Sequence, residues 1–206
     1  MKLRFLSVLA VVGALGLAAC GSDDVASPAS QTAAPQAPAS QAPAATTTSG
    51  AAFNDADVTF AQGMIPHHQQ AIEMADIALG PSIGASAQVR DLATRIKGGQ
   101  DPEIQLMTGW LTAWAQPVQS NMGTGHDMSS MDGMMSAEEM DSLGTITGAD
   151  FDKMWMEMMV RHHEGAIAMA QTAKAAGSNT EVLALADQVI AAQQSEITEM
   201  QKLLRG

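Results

Sequence analysis

Apolar residues recur at helical spacing in two stretches of the chain. Phe60, Met64, His67, Ala71, Met74 and Ala78 are separated by alternating steps of four and three, and so are Trp155, Met159, His162, Ala166, Met169 and Ala173. Each series predicts one buried stripe on an α-helix. A neighbouring stripe carries Ile65, His68, Ile72, Ala75 and Leu79 in the first helix, and Val160, His163, Ile167 and Ala170 in the second. Both histidines of each pair are therefore expected on the apolar side or its edge. Gln62, Gln69, Gln70 and Asp76 fall on the opposite face.

The two helices are copies. "FAQGMIPHHQQAIEMA" at 60–75 matches "WMEMMVRHHEGAIAMA" at 155–170, and "LATRIKGGQDPEIQLMTGWL" at 92–111 matches "LADQVIAAQQSEITEMQKLL" at 185–204. The repeating unit is two helices joined by a Gly-containing turn. Two such units predict an all-α fold: a four-helix bundle built from two αα-hairpins. Pro66 is expected to kink the first helix. Gly98, Gly99 and Pro102 interrupt the second, and "DPEI" at 101–104 resembles a fresh helix start. The expectation is one kinked helix there. Between the hairpins, residues 116–149 form a long connection. Within it "SAEEMDSL" at 136–143 reads as a short capped helix.

The ends and the composition set the context. Lys2 and Arg4 precede an apolar run too short to span a bilayer comfortably, and "LAAC" follows at 17–20. Residues 1–19 read as a lipoprotein signal peptide, with Cys20, the single cysteine, as the lipidated residue. Residues 20–52 continue as an Ala/Pro/Ser/Gln/Thr tether with almost no large apolar side chain, expected to be disordered. The helical domain then covers 53–206: repeat one at about 54–115, the Met-rich connection at 116–149, repeat two at about 150–206. The expected location is extracytoplasmic, lipid-anchored to a bacterial membrane. A formal charge of −12 argues against nucleic-acid binding. With its one cysteine lipidated, the chain has no thiolate for metal binding or nucleophilic catalysis.

Four histidines placed by duplication on facing apolar stripes point to metal ligation. The alternative is plain core histidines, each satisfied by a hydrogen bond. Glu103 and Glu196 recur in "QDPE" and "QQSE", where they would be ligands, carboxylates that orient an imidazole, or exposed acids. Sixteen methionines bear on which metal is bound. Met64 and Met159 share the histidine stripe, as do Met74 and Met169, for which core packing is the simpler reading. Thioether with imidazole is a soft donor set, suited to Cu(I) ahead of iron, manganese or zinc, although another transition metal stays open. Met122, His126, Met128, Met131, Met134 and Met135 in the connection either fold over the bundle or form a flexible copper trap.

"PHHQQAIEMA", "RHHEGAIAMA", the two "QxxEIxxM" segments and "MDGMMSAEEM" together resemble the domain-of-unknown-function 305 family, over about 54–204. The resemblance implies a ferritin-like four-helix bundle, common in secreted or lipid-anchored bacterial proteins, with some members linked to periplasmic copper binding. It implies Met64, His67, His68, Met159, His162 and His163 as ligands. The sequence departs from the family at Gly98, Gly99 and Pro102. The leading expectation is a copper-sequestering or copper-handling protein, which requires no catalysis. The alternatives are a di-metal oxidase-like enzyme and a metal-free surface interaction module.

Overall fold

The computed structural model describes residues 52–118 and 131–206. The expected leader, Cys20, the expected tether up to residue 51, and Met122, His126 and Met128 lie outside the described residues. Among the described residues five helices follow in order: α1 (Asp55–Leu79), α2 (Ala87–Ala113), α3 (Ala137–Leu143), α4 (Gly148–Ala176) and α5 (Thr180–Arg205). No strand occurs among the described residues, and none of their helices is long and apolar enough to cross a membrane. The four long helices form the bundle, with α1–α2 and α4–α5 as its two hairpins. The short α3 starts at a capping box between Ser136 and Glu139.

The predicted stripes are the buried ones. Every residue of the first is buried, and only Met169 of the second is partly exposed. α1 and α4 lie antiparallel along these stripes. The Trp155 indole N–H donates to the Met74 carbonyl at 2.9 Å, and the Asn54 amide donates to the Ala176 carbonyl at 2.9 Å. α1 runs unbroken through Pro66, and α2 runs unbroken through Gly98, Gly99 and Pro102. The proline ring presses on the carbonyl four residues back, which here belongs to Gly98. Gly98 and Gly99 are exposed, so water can take that carbonyl and the helix survives.

Apolar packing forms two half-cores. One gathers Met74, Leu92, Ile96, Phe151, Trp155 and Met159; the other gathers Phe60, Met64, Met107, Leu111, Leu185 and Val189. Burying side chains of this size contributes about 1.5–3 kcal/mol each. The histidines belong to neither half-core. They form a polar belt between the two.

A duplicated clamp holds the bundle ends, and the sequence pattern did not reveal it. The Asp57 carboxylate accepts from the Ser178 and Asn179 backbone N–H groups in the α4–α5 turn, each at 3.1 Å. Its counterpart Asp152 accepts from the Ser86 N–H in the α1–α2 turn at 3.1 Å. Each repeat thereby grips the turn of the other.

Candidate metal centre

His67, His68, His162 and His163 are all fully buried. The antiparallel α1–α4 register brings the His67 and His162 rings together, centroids 3.8 Å apart and tilted by 44°. His162 and His163 have centroids 6.4 Å apart. Helical spacing turns the second histidine of each pair toward the partner helix of its own hairpin. His68 Nε2 lies 2.6 Å from Glu103 Oε2 on α2, and His163 Nε2 lies 2.8 Å from Glu196 Oε2 on α5. Both glutamates thus contact imidazole and are neither free in solvent nor remote from the site.

These contacts fix the tautomers. A carboxylate only accepts, so Nε2 of His68 and of His163 carries a hydrogen, and in the neutral ring Nδ1 is left with a lone pair. His67 Nε2 lies 3.2 Å from the Asp132 carbonyl, so its Nδ1 is left the same way. Nδ1 of all four rings and Nε2 of His162 are buried without a hydrogen-bond partner. The Oε1 atoms of Gln100 and Gln193 are buried and unpartnered too. A bare buried polar atom costs about 1–3 kcal/mol. Seven would together cost about as much as a domain's whole net stability, about 5–15 kcal/mol. Such a set fits an electrophile that can bind several lone pairs at once. No group of three or more His, Cys, Asp or Glu side chains is placed to hold a metal among the described residues. A metal here therefore needs donors beyond these types. The fully buried thioethers of Met64 and Met159, one turn before each histidine pair and in opposite half-cores, are of the right kind.

Met74 is fully buried in a half-core, and Met169 packs partly exposed against the other. The methyl groups of Met169 and Met131 converge on Gly63. Met134 and Met135 are buried, so among these six residues the folded alternative, not a flexible trap, describes this pair.

The connection docks where the two repeats differ. Gln70, expected on the polar face, instead exchanges two hydrogen bonds with the Met135 backbone, at 2.9 and 2.7 Å. Its counterpart in the second repeat is Gly165, where a Cβ would run into the Asp132 carbonyl. Gly133 adopts φ +81°, a conformation that favours glycine. The Gln70/Gly165 mismatch was the available signal for this contact, and a search for matching positions passes over it.

Burial lowers the His67 pKa to about 3, and the neighbouring His68 adds to the shift. Burial also lowers that of His162 well below its ordinary value, followed by the effect of His67. The His67 backbone opposes that shift without reaching hydrogen-bond geometry. Both rings are therefore neutral in the folded protein. Between pH 6.5 and about 3 the unfolded chain takes up a proton at His67 that the folded chain refuses. The metal-free protein should lose stability as pH falls through that window, by up to about 1.4 kcal/mol per pH unit for each such histidine. Thermal melts at pH 7.5 and pH 5 check this; a midpoint that does not fall would contradict it.

The geometry can be set beside known proteins. A DUF305 protein from Streptomyces coelicolor is 34% identical, with a TM-score of 0.67 over 73% of this chain and 92% of its own. A DUF305 fragment from Deinococcus radiodurans is 32% identical, with a TM-score of 0.65 over 73% of this chain and 96% of its own. CopM in its Cu(II)-bound form is 34% identical, with a TM-score of 0.60 over 72% of this chain and 95% of its own. CopM is also known in Cu(I)-bound and Ag-bound forms. No curated protein matches the chain. The family model for the domain of unknown function DUF305 matches residues 57–204, nearly the whole helical region, and the chain belongs to that family.

Proposed function

We propose that the protein binds copper as Cu(I) outside the cytoplasm, to sequester it or hand it on. The observation that carries this reading is the belt of buried imidazole nitrogens without hydrogen-bond partners, one lone pair to each neutral ring, set between two methionine-bearing half-cores. His67, His68, His162 and His163 would supply nitrogen, and Met64 and Met159 sulfur. That mixture favours a soft monovalent ion. The copper-bound and silver-bound forms of CopM, a relative of similar fold, support the same choice. An extracytoplasmic site agrees with the leader-like start and with the Streptomyces coelicolor relative, which is described as secreted. Cys20 would be the lipid anchor.

Glu103 and Glu196 would act by orienting His68 and His163, holding the hydrogen on Nε2 and leaving Nδ1 for the metal. Partners of this kind typically change metal affinity by about 10–100-fold. An anaerobic Cu(I) titration against a chromogenic chelator tests the reading. The unaltered chain should compete for Cu(I), and Glu103→Gln with Glu196→Gln should weaken it by that factor. No competition by the unaltered chain would sink the proposal.

A further inference from the structure

Gln100 and Gln193 occupy equivalent positions in the two repeats and are not used by the copper(I) reading. Both are buried, at 4% and 3% exposure, and both present an unpartnered Oε1. Each lies one turn before the glutamate that contacts a histidine. Gln100, Glu103 and Met107 share one face of α2, and Gln193, Glu196 and Met200 share one face of α5. Arg95 on α2 reaches Glu199 on α5 at 2.8 Å, and the two helices are antiparallel. A turn and a half onward from Arg95 along α2 reaches Gln100. A closely similar distance back from Glu199 along α5, one residue longer, reaches Gln193. The two amides therefore come level on the α2–α5 side of the belt, the side toward which His68 and His163 turn.

We propose that the carbonyl oxygens of Gln100 and Gln193, with Nδ1 of His68 and His163, form a second cation subsite for a divalent ion of intermediate hardness such as Cu(II). The four atoms are all lone-pair acceptors, with no N–H or O–H among them to match. Two imidazoles with two amide oxygens suit Cu(II), whereas a thioether-bearing set suits Cu(I). With both ions bound, His67 and His162 stay with the thioethers on Cu(I), and His68 and His163, which also serve Cu(I) when it is bound alone, turn to the amides. This rests on the belt being a metal centre, and it adds a second ion of different character.

The test titrates the chain separately with Cu(II), read by electron paramagnetic resonance, and with Cu(I), read by chelator competition. It compares the unaltered chain with a Gln100→Leu/Gln193→Leu variant and a Gln100→Met/Gln193→Met variant. Cu(II) affinity should fall at least about tenfold in both variants, and Cu(I) affinity at the thioether-bearing layer should stay within about threefold. The methionine variant should gain uptake of a second Cu(I). The metal-free leucine variant should melt no lower than the unaltered chain, since it loses two bare acceptors. Unchanged Cu(II) binding in both variants would overturn the inference and leave the copper(I) reading standing. So would a lower melting point of the metal-free leucine variant, because it would mean that the amides already satisfy the histidines. Absence of Cu(I) uptake by the unaltered chain is a separate failure, of the copper(I) reading itself.

Discussion

Replacing His67 and His162 together by leucine should abolish tight Cu(I) binding and make the metal-free protein more stable. The two effects have one cause. The pair contributes three of the buried nitrogens that have no hydrogen-bond partner, and the rings nearly touch. Removing a bare buried acceptor in favour of an apolar group of similar size relieves its desolvation cost, and only the His67–Asp132 contact is lost in exchange. The expected gain is about 1–3 kcal/mol at neutral pH. Cu(I) affinity should drop by at least about a thousandfold, since half the imidazole donors disappear. Chelator competition and urea unfolding of the same samples read both quantities. Ordinary core histidines would behave in the opposite way: metal affinity unchanged and stability lower. Retained Cu(I) affinity would move the site to the methionine-rich connection.

Asp57→Ala should destabilise the protein by about 3–5 kcal/mol, as much as truncating a large core side chain. The carboxylate is fully buried. It accepts from the Asn54 N–H at 2.9 Å, the Ser178 N–H and hydroxyl at 3.1 Å, and the Asn179 N–H at 3.1 Å. Alanine would leave this whole group of donors without its acceptor at the point where α1 meets the α4–α5 turn. Its counterpart Asp152 is only partly buried and grips the single Ser86 N–H, so Asp152→Ala should cost only about 1 kcal/mol. Asp57 precedes His67 by ten residues, about 15 Å along the helix, so Cu(I) affinity should be unchanged in any Asp57→Ala protein that remains folded. Equal losses for the two aspartates would contradict this account of the clamp.

The bundle was legible because its information is periodic. The stripes through Phe60–Ala78 and Trp155–Ala173 use the helical period, and the repeat makes each half evidence for the other. Placing His67 against His162 needed only the assumption that copied halves face each other. The features that escaped are those in which backbone or distant side chains act. Asp132 meets His67 through a carbonyl, which leaves no trace in residue type. Asp57 finds its partners more than a hundred residues away, and its place at the start of α1 accounts for an acid there without them. The roles of Glu103 and Glu196 were undecided in the sequence, because helical spacing gives a face but not the atom a carboxylate will touch. At Gly98, Gly99 and Pro102 the expectation of one helix holds, because these three residues are exposed and the helix passes through them.

In the proposed site the belt holds Cu(I) through imidazole nitrogen and methionine sulfur together. X-ray absorption at the copper edge of the anaerobically Cu(I)-loaded chain reads those neighbours. The spectrum should show both nitrogen and sulfur on copper, with the outer-ring scattering that marks imidazole. A spectrum with sulfur neighbours alone would contradict it, by placing the ion among methionines away from the histidine belt.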